Sequence, residues 1–149
     1  MSNSPVLLMT RQEAMAQWEA EVEPSFAEFA SPGFEDVCRQ YLLRQLLGGK
    51  LPFRPTAIGR WRHNDVEIDL VGADHDRRHC LAAECKYRRE PVSLKVFRSL
   101  QAKVHRLPVA DEAVFHYWLF SRSGFQESLQ QEAERNPALH LVGMDDLLA

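Results

Sequence analysis

No apolar run in this chain approaches the ~20 residues that crossing a bilayer as a helix takes, so no membrane partner is expected. The N-terminus carries no basic stretch followed by an apolar one, and no secretory signal is expected either. Cysteine is scarce. Cys38, Cys80 and Cys85 form no even framework, and reduced thiols in a cytoplasm are the simplest reading. The histidines His63, His75, His79, His105, His116 and His140 show neither H-E-x-x-H nor paired C-x-x-C spacing, which argues against zinc. Ser121 and Ser123 have no acid–histidine partner for nucleophilic catalysis. There is no G-x-x-x-x-G-K-[ST] loop to cradle nucleotide phosphates, and no internal repeat, low-complexity tract or linker.

What is present fits one globular unit. The chain has 149 residues, 45% apolar and 26% charged, enough to bury a core. A net charge of −3 argues mildly against an all-over nucleic-acid binder, but the distribution matters more. Up to Gln40 the charges are mainly acidic: Glu13, Glu19, Glu21, Glu23, Glu28, Glu35 and Asp36 against Arg11 and Arg39. From Lys86 to Arg106 they are basic: Lys86, Arg88, Arg89, Lys95, Arg98, Lys103 and Arg106 against Glu90 alone. That segment suits a polyanion, although for Lys95 and Arg98 a solvated helix face is an equal reading.

Periodicity gives the element order. Met15, Trp18, Val22, Phe26 and Phe29 place an acidic amphipathic helix over 10–30, interrupted at Pro24. Ser31-Pro32-Gly33 reads as a break, followed by a helix from Phe34 to Leu47 that Gly48-Gly49 ends. Three strands are expected at Thr56–Arg62, Val66–Val71 and Cys80–Tyr87, with turns at 63–65 and 74–76. A helix opened by Pro91 and Ser93, a strand Val114–Phe120, a helix Phe125–Arg135, a strand Leu139–Val142 and a last helical turn Met144–Leu148 complete the chain. The order ααβββαβαβ predicts an α/β fold with a central mixed sheet flanked by helices.

The chemistry concentrates in Val66-Glu67-Ile68-Asp69-Leu70-Val71 and Leu81-Ala82-Ala83-Glu84-Cys85-Lys86. Residues two apart on a strand share a face, so Glu84 and Lys86 project together and Asp69 can join them if the strands pair. Such a cluster is expensive to pack against a core. A divalent cation beside a phosphodiester gives it a reason. Magnesium takes one or two carboxylates, here Asp69 and Glu84, and fills its shell with other oxygens. The carbonyl of Cys85 can supply one, and Lys86 can orient water or stabilise charge at phosphorus. Glu35, on the preceding helix, can add a carboxylate. The plainer reading of the same residues is a surface ion pair. Cys85 itself reads as core, and Trp61 as packing rather than a base-stacking platform.

This arrangement resembles the PD-(D/E)XK nuclease superfamily, with Glu35, Asp69, Glu84 and Lys86 falling in order in the elements where that superfamily carries them. Ile68 stands where the family name has proline. A closer resemblance covers nearly the whole chain. Gly33-Phe34-Glu35, Ile58-Gly59-Arg60-Trp61, Glu67-Ile68-Asp69-Leu70-Val71, Glu84-Cys85-Lys86 and Phe120-Ser121-Arg122-Ser123-Gly124-Phe125 are similar to the nuclease-like domain at the C-terminus of archaeal-type AAA ATPases. Arg62 stands where that family often has a second tryptophan.

The resemblance implies a restriction-endonuclease-like core over 33–149 with an N-terminal helical extension over 1–32, and no ATPase domain in the sequence. It implies a Mg²⁺-dependent (deoxy)ribonuclease, Mn²⁺ substituting, with Lys86, Glu84, Asp69 and Glu35 catalytic and Glu67, Gln101 and Lys103 as candidate accessories. For Gln101 a place on the helix surface is the plainer reading. Arg60, Arg62, Arg88, Arg89, Lys95 and Arg98 are the candidate DNA contacts. An AAA ATPase and a second copy of the chain are the expected partners besides DNA. The alternative is a catalytically inactive module that binds nucleic acid or protein for an ATPase.

Overall fold

The computed structural model describes residues 32–149. The acidic helix expected over 10–30 lies outside them. The first described helix, α1 (Pro32–Leu47), begins inside the expected break. Proline is suited to a first helical turn, where its missing N–H has no partner to lose.

Strands β1 (Gly59–His63), β2 (Val66–Ala73) and β3 (His79–Lys86) follow. Helix α2 (Leu94–Lys103) continues into a 3₁₀ turn, Val104–Arg106. Then come β4 (Val114–Ser121), α3 (Glu127–Arg135), β5 (Leu139–Val142) and α4 (Met144–Leu148). The five strands lie in chain order in one sheet. The β1–β2 and β2–β3 pairs are antiparallel, and β3–β4 and β4–β5 are parallel. This is the expected mixed sheet flanked by helices.

Each parallel pair needs a crossover, which α2 and α3 supply. Phe97 and Leu100 of α2 and Leu129 of α3 pack with Ile68, Ala82, Leu119 and Leu139 on one face of the sheet. On the other face Phe34, Val37, Cys38 and Leu42 of α1 and Leu147 of α4 pack with Leu70, Leu81, Ala83, Cys85 and Phe120. β3 is therefore covered on both sides, and Cys80–Cys85 are all buried, as a central strand of a three-layer fold must be.

Local chemistry sets the boundaries. Asn64 takes φ 56° in the short turn between β1 and β2, a conformation that asparagine tolerates well. Asp74 Oδ1 accepts the N–H groups of Arg78 and His79 at 2.9 and 3.2 Å and closes the next turn. The first strand starts at Gly59, not Thr56; the Thr56 N–H still reaches the β2 carbonyl of Ala73 (2.9 Å), but outside the regular ladder. Ser93 precedes α2 but makes no side-chain cap. Phe125 pairs with Val92 in an isolated bridge, so α3 begins at Glu127.

The loop before β1 presses on β2 at Gly72. A Cβ there would lie 2.6 Å from the Ala57 carbonyl oxygen, closer than real contacts allow. Gly72→Ala is therefore expected to lower the unfolding free energy by about 1–3 kcal/mol, read by urea denaturation. An unchanged midpoint would show that this loop does not bear on the sheet.

Candidate functional site

Strands β2 and β3 pair from Ala73–Cys80 to Leu70–Ala83 and no further. Beyond that point the strands part. The Cys85 N–H is donated to the Asp69 carboxylate, Oδ2, at 2.8 Å, so a side chain takes over where the ladder stops. On its other edge β2 is irregular. Gly59 faces Val71 while Trp61 faces Ile68, so Arg60 alone stands opposite Asp69 and Leu70. This extra residue resets the alternation of side chains. Ile68 enters the core on the α2 face, and Leu70 the core on the α1 face. Asp69 lies between them, at the opening of the sheet.

From that position the charge of Asp69 acts on carboxylates on both sides, Glu35 of α1 and Glu84 of β3. Burial, and then the charge of Asp69, push the Glu35 carboxyl up to about 7 against the lowering pull of Arg60. The same two causes push Glu84 up to about 7 against the pull of Lys103 and Lys86. Desolvated like charges resist ionising together. Even with cations beside them, this trio of acids therefore resists ionising together.

Those cations are specific. Glu84 is 4% exposed; Lys86 Nζ lies 3.8 Å from its Oε1 and Lys103 Nζ 3.3 Å from its Oε2. Arg60 Nη2 lies 2.5 Å from Glu35 Oε1, and its Nη1 contacts Glu67. Beside Glu84 a recess of about 200 Å³ is lined by Lys86, Arg88, Lys95, Ser99 and Lys103. Lys95, Ser99 and Lys103 recur every four residues and so share one stripe of α2.

The remaining candidates fall elsewhere. Gln101 Oε1 accepts from Arg98 at 2.9 Å on the outer side of α2. Arg98 also lies 3.5 Å from Glu132, so it is engaged with α3. Arg62 and Arg89 are exposed. The Arg88 carbonyl accepts the Ser123 hydroxyl, and Ser121 Oγ donates to the Gly124 carbonyl at 2.7 Å. Both serines brace the loop after β4. Trp61 is half-buried against the α2-face core. The Cys85 side chain is buried on the α1 face, where burial pushes its thiol well up; a thiol so placed is no nucleophile. Sequence reasoning missed the β2 irregularity and the Arg60–Glu35 pair, which depend on register. It also missed the pairing of β3 and β4 that brings His79 Nδ1 to 3.2 Å from His116 Nε2.

Among the described residues, no three His, Cys, Asp or Glu side chains are arranged to enclose a metal ion. Magnesium does not require such a cage, since one or two carboxylates with other oxygens suffice. Asp69 and Glu84 are hard donors of that type. The Cys85 carbonyl points to the same side of β3 as the N–H that meets Asp69. A further cation beside them would favour the ionised form that crowding disfavours. The donor set fits.

The architecture is a mixed five-stranded α/β sheet flanked by helices. Residues 5–101 match the DUF234 family, described as Archaea bacterial proteins of unknown function, and the chain belongs to that family. An uncharacterized protein of Methanocaldococcus jannaschii is 29% identical over 85 residues, 56% of this chain and 19% of that protein. The chain thus spans about a fifth of that relative's length. Among solved structures, a repair endonuclease from Pyrococcus abyssi is similar at 20% identity and TM-score 0.46, over 83% of this chain and 48% of that one. The DNA modification-dependent restriction endonuclease AspBHI is similar at 20% identity and TM-score 0.43, over 99% of this chain and 37% of that one.

The raised carboxyls carry a pH signature. Glu35 and Glu84 bind a proton more tightly in the fold, at about 7, than at their ordinary 4.5. Their contribution to stability is fully present below pH ~4.5 and is lost as pH rises through ~7. In EDTA the melting temperature is expected to fall between pH 5.5 and 8, and Glu84→Gln is expected to flatten that fall. A wild-type melting temperature that climbs over this range would contradict the crowding of the trio.

Proposed function

We propose that this chain is a metal-dependent phosphodiester hydrolase acting on DNA. The observation that carries the reading is the Asp69 carboxylate on the Cys85 N–H, next in the chain to Glu84, with Lys86 and Lys103 on either oxygen of Glu84. A catalytic role explains why acids are buried there at a cost that packing alone does not repay.

Asp69, Glu84 and the Cys85 carbonyl would hold Mg²⁺, with Mn²⁺ as a substitute. A hard divalent ion supplies Lewis acidity and neutralises phosphoryl charge. The chain's own groups do the rest. A phosphoryl group brought to Glu84 lies between the ammoniums of Lys86 and Lys103, which stabilise charge building on its oxygens. Water adds to phosphorus as the bond to the leaving sugar oxygen breaks, and Lys86 orients that water. Glu35, on the α1 side of Asp69, shapes the carboxylate cluster. Arg88, Lys95 and Ser99 line the same recess and continue the track for the flanking backbone, by charge rather than by reading bases.

Cytoplasmic location belongs to this reading through the cysteine count, and service to an AAA ATPase and pairing of two copies for double-strand cutting through the family resemblance alone. None of them alters the chemistry at the split.

Purified protein with Mg²⁺ or Mn²⁺ is expected to nick or cut some form of DNA. Asp69→Ala and Lys86→Ala should each lower the rate at least a hundredfold, the usual scale for removing one electrostatic stabiliser. Cleavage that persists in both variants rules the assignment out. DNA bound tightly without metal and never cut would instead favour the inactive binding module.

A further inference from the structure

Glu35 and Glu84 at the split are each met by cations, and one of those cations differs from the others. Lys86 and Lys103 approach Glu84 with single flexible ammoniums. Arg60 spans two carboxylates at once, Nη2 to Glu35 and Nη1 to Glu67. It also stands at the irregularity, opposite Asp69 and Leu70 in the β1–β2 register. The strand geometry that lets Asp69 reach both faces therefore also aims Arg60 at Glu35.

We propose that Arg60 is a built-in counter-ion that holds the acidic site together without metal, and that an arriving divalent cation displaces it from Glu35. The inference rests on the reading of Asp69 and Glu84 as cation ligands. A guanidinium keeps its charge at any working pH, so it offsets charge at Glu35 and Glu67 whenever no metal is present. The Glu35 side chain is only 12% exposed, which leaves water little room to screen the acids in its place. The same permanent charge opposes a second cation nearby. Glu67 makes the exchange possible with little movement. Its side chain is 36% exposed, and it keeps Nη1 at the mouth of the site when Nη2 lets Glu35 go. Arg60 is thus a positioning residue that sets metal affinity, and Glu67 is its anchor.

The test is calorimetric titration of Mn²⁺ into wild-type protein, Arg60→Gln and Arg60→Lys, each checked for fold by circular dichroism. Arg60→Gln is expected to bind Mn²⁺ roughly tenfold more tightly, the scale for removing one charge a few ångströms from a cation in a partly solvated site. Arg60→Lys, which keeps the charge but cannot span both acids, is expected between. In the wild-type protein, the Arg60 side-chain ¹⁵N resonance, assigned by its absence in the variants, is expected to shift on adding Mg²⁺. Equal or weaker Mn²⁺ binding by a folded Arg60→Gln overturns the inference, as does a resonance unmoved at saturating Mg²⁺. Wild-type binding without a gain in the variant defeats only the role given to Arg60. Failure of wild type and variant alike to bind Mn²⁺ defeats the cation site as well.

Discussion

Everything at the candidate site depends on two strands ceasing to pair. Had the β2–β3 ladder continued two more pairs, to Ile68–Cys85, the Cys85 N–H would have met a backbone carbonyl and Asp69 would have had no opening to fill. The parting leaves an unsatisfied N–H in a buried strand, and such a group must find an acceptor. The Asp69 carboxylate accepts it. That bond fixes Asp69 relative to β3, and with it the distances among acids that come from a helix and two strands. The irregularity opposite Arg60 is the second half of the same device. It shifts the alternation so that one acid can address both faces of a sheet whose faces are otherwise sealed by apolar packing.

The surrounding fold bears the electrostatic load. β3 is covered on both sides, so the strand that carries Glu84 and Lys86 does not yield to the repulsion it holds. α1 brings Glu35 from one face and α2 brings Lys103 from the other. The loop after β4 is tied to the exit of β3 through the Arg122 N–H on the Lys86 carbonyl, 3.1 Å, and the Ser123 hydroxyl on the Arg88 carbonyl. A site whose acids crowd one another needs that rigidity, because relaxation of any element would separate the charges and release the strain that favours a cation.

Much of this was legible in the sequence, for identifiable reasons. The meander, the two crossovers and the last strand follow from apolar periodicity and turn residues, which are local. Glu84 and Lys86 sharing a face follows from the period of a strand. The burial of Cys85 between them follows from the same rule, since the intervening residue must point the other way. The place of Asp69 was only partly legible. Strict alternation puts it on one face with Glu84 and Lys86, whereas the structure sets it between the faces, because one unpaired residue in β2 cancels the alternation. Nothing in Glu67-Ile68-Asp69-Leu70 announces that residue; it appears only once β1 is laid beside β2. Arg60 was read as a candidate DNA contact, and its engagement with Glu35 and Glu67 depends on the same register. Lys103 was named as a candidate accessory, and its helical stripe with Lys95 and Ser99 explains how it reaches Glu84.

The central claim is that Asp69, Glu84 and the Cys85 carbonyl form a seat for one hard divalent ion. Anomalous diffraction from a crystal soaked in Mn²⁺ tests it most directly. The account predicts a peak bonded to oxygens of Asp69 and Glu84 and to the Cys85 carbonyl, at about 2.0–2.3 Å. A Mn²⁺-soaked crystal with no peak at the split, Glu84 still paired with Lys86 and Lys103, would contradict it.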